Sequence, residues 1–220
     1  MSESQTENNK NLLIGEKNIP DHIIDGSIVI DSIEAFSSIL KQFPDHPALL
    51  RKYADLLFRQ ELLDLAAKSY GEASRLYIES GRMLQALVAK KQQWLIKPPA
   101  NKDIHLFLAA LEQGDFRTTP PKMFFDKLSP KEILAVISGF FRVRLFAGKI
   151  VQKEGDPGTD LYFIVSVTLK YSIFPSLVTK EKVHRKPNIN LSDDDFFGEI
   201  YPFKTDQICQ SDIKTVTQVE

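Results

Sequence analysis

The stretch AGKIVQKEGDPGTDLYFIVSVTLKYSI, residues 147–173, followed further on by LSDDDFFGEI, residues 191–200, decides the reading of the C-terminal half. Gly155-Asp156-Pro157-Gly158 is concentrated turn chemistry, because glycine accepts positive φ and proline fixes φ for a turn. Beyond it, Leu161-Tyr162-Phe163-Ile164-Val165 and Val167-Thr168-Leu169-Lys170-Tyr171-Ser172-Ile173 are β-branched and aromatic runs that suit strands. Before it, Lys149-Ile150-Val151 starts a strand after the Ala147-Gly148 break, and Phe141, Val143 and Leu145 alternate with Arg142 and Arg144 at the strand period of two. Several short strands between glycine-rich turns predict a barrel or sandwich. Phe140, Phe141 and Phe146 are expected in its core.

Towards the N-terminus the period changes. Ser129-Pro130 with Glu132 opens a helix over ILAVISGFF, Ser129 capping and Pro130 taking the first turn. Residues 98–122 read as a connector, a semi-rigid spacer with one short amphipathic helix, IHLFLAALEQ, between two Pro-Pro pairs. Within residues 19–97 the spacing of Leu49, Leu50, Tyr53, Leu56 and Leu57 predicts a helix that starts after Pro44 and Pro47. A second helix follows a break near Glu61, with Leu63, Ala66, Ala67, Tyr70, Ala73, Leu76 and Tyr77 on its apolar side and Gly81 at its end. A third runs from Arg82 to Ile96 with Leu84, Leu87, Val88, Trp94 and Leu95 inward, and Pro98-Pro99 stops it. Residues 1–18, rich in Ser, Glu, Gln and Asn, are expected to be a flexible tail.

The 220 residues are 43% hydrophobic and 26% charged, enough apolar surface for a globular core. A net charge of −1 provides no general attraction to nucleic acid. Four scattered histidines and the single Cys209 never reach metal-ligand spacing, so no metal site or cofactor is expected. Asp193-Asp194-Asp195 lacks the alternating oxygen ligands of a calcium loop and reads as a solvated turn. No run is long enough to span a bilayer and no secretory signal opens the sequence, so the expected compartment is the cytoplasm. The sequence has no GxxxxGK[ST], HExxH or GxSxG pattern, and the expected role is non-enzymatic.

Read in order, Gly148, Glu154-Gly155-Asp156, Asp160 with Tyr162 and Phe163, and Phe197-Gly198-Glu199 resemble the cyclic-nucleotide-binding domain family over residues 123–220. The resemblance implies a β-roll of jelly-roll type and a cyclic AMP or cyclic GMP ligand. Its phosphate-binding cassette then falls on Phe197, Gly198, Glu199 and Ile200, with a helix beginning near Phe197 that turns free N–H groups to the phosphate. It gives Glu199 the ribose 2′-OH as partner. The family pairs an arginine with the phosphate further along; here Cys209 or Gln210 stands in that place and Ser211 replaces the following alanine. A neutral side chain forgoes a charge-assisted bond worth about 1.5–3 kcal/mol. Lys204 is the nearby cation in the cassette, and Lys180–Lys186 reads as a solvated basic loop. Val167 stands where the family has a turn glycine, and Glu220 falls where the family still has a final strand and two helices, so an incomplete, truncated roll is expected.

Leu50, Tyr53, Ala54 and Leu57, followed by Ala66, Tyr70 and Ala73, and then in part by Ala86 and Pro98, resemble a tetratricopeptide repeat over residues 47–98. That resemblance implies a surface for protein partners. Together the two halves imply an α+β regulatory protein, a sensor module coupled to a helical interaction region. The alternative is a structural adaptor or truncated fragment whose roll has lost ligand binding.

Overall fold

The computed structural model describes residues 19–158, 160–166, 191–198, 208–209, 212–215 and 219–220. The helical half comprises α1 (Ile19–Ile24), α2 (Ile33–Gln42), α3 (Pro47–Arg59), α4 (Leu63–Glu79) and α5 (Met83–Ile96). Ser32 caps α2, its hydroxyl accepting from the Ala35 N–H at 3.2 Å. Pro47 opens α3, as its fixed φ favours. The chain leaves α3 through Glu61 at φ +62° and leaves α4 through Gly81 at φ +72°. Gly81 is required by space as well, since a Cβ there would lie 2.8 Å from the Asp115 carbonyl oxygen. The helices approach closely because Ala54, Ala66, Ala73, Ala86 and Ala89 occupy their crossings, all fully buried. Leu63 and Leu95, expected inward, are exposed: they lie at the ends of α4 and α5, where the neighbouring helix no longer covers them. The helices α1 and α2 lie upstream of the helical pattern read from the sequence; Ile23 and Phe36 bury against Leu49 and Leu56 of α3.

A core continues through α6 (Asn101–Gln113), α7 (Pro120–Phe125) and α8 (Pro130–Gly139). Leu84, Leu87 and Val88 of α5 pack with Phe107, Leu108 and Leu111 of α6, with Phe125, Ile137 and Val165. Trp94 meets Phe107 edge-to-face at 5.4 Å. The segment read as a spacer is therefore packed on α5 along α6. Ser129 and Glu132 form the expected capping box on α8.

The remaining elements are short: β1 (Ile150–Gln152), β2 (Leu161–Phe163), β3 (Phe196–Gly198) and β4 (Ile213–Lys214). β1 pairs with β4 and β2 with β3, both antiparallel, so among the described residues the fold is mixed and helix-rich with two small two-stranded sheets. In the second sheet Leu161 faces Gly198, Tyr162 faces Phe197 and Phe163 faces Phe196. The alternating run 141–145 is not a strand; Leu145 alone bridges to Val219. Phe140 packs on the core, but Phe141 and Phe146 do not enter it and are 93% and 71% exposed. For Phe141 the reason is parity: Arg142 and Arg144 turn inward to buried carboxylates, which sends Phe141 and Val143 outward, whereas Phe146 lies past the alternating run. No helix among the described residues is long and apolar enough to cross a membrane. The tail at 1–18, the runs from Val167 to Ile173 and from Lys180 to Lys186, and Lys204 lie outside the described residues.

Candidate functional site

Of the cassette residues, Phe197, Gly198 and Cys209 are described, and Glu199, Ile200, Gln210 and Ser211 are not. Phe197 is in the middle of β3, so the helix expected to begin there does not; its backbone is committed to the ladder with β2, and its ring stacks on Tyr162 at 4.8 Å and 10°. Gly198 has φ +122°, and a Cβ on it would stand 2.2 Å from the Asp160 carbonyl oxygen. Only glycine fits there. Tyr162 donates to Asp160 at 3.4 Å. Burial, the Asp160 carboxylate and Cys209 together push its phenol up from the usual value. Cys209 is buried and joined to the Gly155-Asp156 turn: its N–H donates to the Asp156 carbonyl and its carbonyl accepts from Gly155 N–H, both at 2.8 Å. The turn glycines at 148 and 155 have φ +79° and +88°, as the sequence predicts.

Beside this sheet lies a cleft of about 430 Å³. Leu145, Val151, Phe163 and Phe197 form apolar wall, Val88 contributes from α5, and Asp160, Tyr162 and Thr215 add polar groups. The volume and the mixture of walls are those of a small-molecule site. Arg142 and Glu220 also line it.

Those two residues belong to a buried ionic cluster that joins the halves. Arg51 and Asp55 sit four residues apart on one face of α3, both buried. Asp55 accepts from Arg142 Nη2 at 2.9 Å, from the Tyr70 hydroxyl at 2.5 Å and from Arg144. Glu220 accepts from Arg51 Nη1 at 2.7 Å, from Arg142 Nη2 at 2.8 Å and from Arg144 Nε at 3.3 Å. Burial acts to raise both carboxyls, but the guanidinium groups outweigh it: Arg142 and Arg144 hold Asp55 below its usual value, and Arg51, Arg142 and Arg144 do so for Glu220. Burial also pushes the Tyr70 hydroxyl up, with Asp55 adding to the effect. Lys52 is pushed down to about 8, by burial first and then by Arg144 and Arg51. Further ties join the halves. Gln85 Nε2 donates to the Val165 carbonyl at 3.0 Å, and Arg82 pairs with Asp193 and, at 3.7 Å, with Asp194. The acidic triplet read as a solvated turn is thus an anchor for Arg82.

The sequence reading singled out none of Arg51, Asp55, Arg142, Arg144 or Glu220 as site residues. The signal available was the alternation at 141–145, in which arginines take every second place; read with its parity inverted, it puts charge inside. No protein-family model and no curated protein matches this chain.

Proposed function

We propose that the chain is a non-enzymatic regulatory protein in which a cyclic-nucleotide-binding-like module senses a small ligand and a tetratricopeptide-like helical region contacts a protein partner. The observation that carries this reading is the ligand-sized cleft of about 430 Å³ lined by Phe197 and Tyr162, the aromatic pair of the sheet whose strand β3 holds Phe197 and Gly198 of the Phe-Gly-Glu run. A Phe-Gly-Glu run is where the resembled family cradles a cyclic phosphate, and there glycine is needed for close backbone approach. Glu199, adjoining Gly198 in sequence, takes the ribose 2′-OH, because a carboxylate next to a phosphate would repel it. The buried alanines of α3, α4 and α5 support the repeat-like reading of the helical half. The adaptor alternative is favoured by one specific observation: no arginine occurs between Arg185 and Glu220, so the cassette lacks its usual phosphate partner.

A thermal-shift titration with cyclic AMP and cyclic GMP tests the reading. Ligand at about 100 times its Kd stabilises the native state by about 2.7 kcal/mol. The expected result is a nucleotide-dependent rise in Tm that Glu199→Ala abolishes. No rise with either nucleotide, in a chain folded by circular dichroism, leaves the adaptor.

A further inference from the structure

We propose that the face of α3 and α4 built on Asp55 and the Tyr70 hydroxyl is a docking site for a protein segment of the form Arg-x-Arg. The chain's own Arg142-Val143-Arg144 occupies that site, so a partner gains it by displacing the resident segment. The inference deepens the helical half of the function proposed above, and rests on it, by naming what the partner presents and what holds the surface closed. It involves neither the cleft nor a nucleotide.

The 141–145 segment is held much as a bound peptide is held. Among the described residues its main chain is bonded only at Leu145, which exchanges two hydrogen bonds with Val219 at 3.0 and 2.8 Å. Ahead of Leu145, two side chains spaced by one residue tie it to the helices. Arg142 sets Nη1 and Nη2 on the two oxygens of Asp55, the second at 2.9 Å, with Nη1 3.5 Å from the Tyr70 hydroxyl. Arg144 reaches the same carboxylate. Glu220, itself held on α3 by Arg51 at 2.7 Å, accepts from both arginines. A guanidinium fork laid along a carboxylate selects arginine over lysine, and two forks in alternate places select the spacing. The residue between them is not read, since Val143 is exposed, as is Phe141 before it. The fit is also incomplete: Arg142 Nε is buried without an acceptor, and the Arg144 side chain stays partly exposed. Exchange for a partner's two arginines is charge for charge, so it leaves neither Asp55 nor Glu220 uncompensated. What favours the resident segment is its tether, equivalent to an effective concentration of about millimolar.

The test is fluorescence anisotropy of a labelled peptide of residues 139–147, GFFRVRLFA, titrated with the full chain. The double variant Arg142→Gln, Arg144→Gln, whose resident segment no longer competes, should bind the peptide at least tenfold more tightly than wild type. Adding Asp55→Asn to that variant should abolish binding, and so should replacing both arginines of the peptide by glutamine. Circular dichroism establishes that each variant is folded. Wild type supplies a reading that needs no variant: at saturating peptide, amide exchange across 141–145 quickens while exchange in α3 and α4 is unchanged. Should the double variant not fold, this second reading decides alone. Equal affinity of wild type and the double variant, binding that survives Asp55→Asn, or unchanged exchange across 141–145 at saturation overturns the proposal. Failure here beside a cyclic nucleotide response removes the docking site and leaves the sensor reading; peptide binding without a nucleotide response does the reverse.

Discussion

Asp55 and Glu220 carry most of what single residues contribute to this molecule's behaviour. Their carboxyls are held below the unperturbed values of 3.8 and 4.5. A carboxyl depressed in the folded state binds its proton more weakly there than in the unfolded chain. The stability it contributes is therefore complete above the unperturbed values and is lost as pH falls through the folded ones. The expected outcome is a denaturation midpoint that drops steadily below about pH 4.5, and Glu220→Gln should flatten that slope. Urea titrations between pH 6 and 3 measure both. These same two residues were hardest to see in the sequence. Nothing local distinguishes Asp55 from any polar residue of a helix, since what buries it is Arg142, a residue 87 positions away. Gly198 was singled out by the Phe-Gly-Glu resemblance alone; the constraint the structure shows on it, the Asp160 carbonyl just before the paired strand, is likewise remote in sequence and was not legible there.

At the scale of elements, α3, α4 and α5 were legible because their apolar residues repeat at helical spacing and their ends carry strong signals, Pro47, Gly81 and the Pro-Pro pair after Ile96. The six residues of α1 are too few to display a period, and the Phe36 face of α2 becomes apolar surface only once Leu49 and Leu56 meet it. Strands formed within the runs read at Ile150 and at Leu161, but the run at 141–145 failed. The 141–145 alternation was real, but its periodicity says only that two faces exist, and an ionic partner rather than hydrophobicity chose the inner one. One glycine in α4 makes a separate point. Gly71 is in a helix interior, and the nearest obstacle to a Cβ is the end of the Gln93 side chain at 2.6 Å. That flexible amide has room to swing aside at the loss of its bond from Lys90. Gly71→Ala should therefore be neutral to stabilising, by up to about 1 kcal/mol, in chemical denaturation. A loss greater than 1 kcal/mol would show the amide to be fixed.

The whole molecule is held together across its halves by charge as much as by apolar contact. Arg142 and Arg144 reach Asp55 on α3, Arg82 reaches Asp193, and Gln85 reaches Val165. Removing one partner from such a set leaves a buried carboxylate uncompensated. The expected outcome for Arg142→Gln is that amide hydrogen exchange in 161–165 quickens while exchange in α3 and α4 is maintained, whereas in the wild type the two regions open together. Mass spectrometry of peptic fragments measures this, and equal protection in the variant would mean that the cluster does not couple the halves. The arrangement also has a history in time. Arg51 and Glu220 are 169 residues apart in sequence. At the usual pace of synthesis, about 5–20 residues per second, the arginine exists for roughly 10–30 s before its partner is made. Through that interval α3 carries Arg51 with its own Asp55 as the acid on the same face, so the helical half is made well before the contact that ties Arg51 to Glu220.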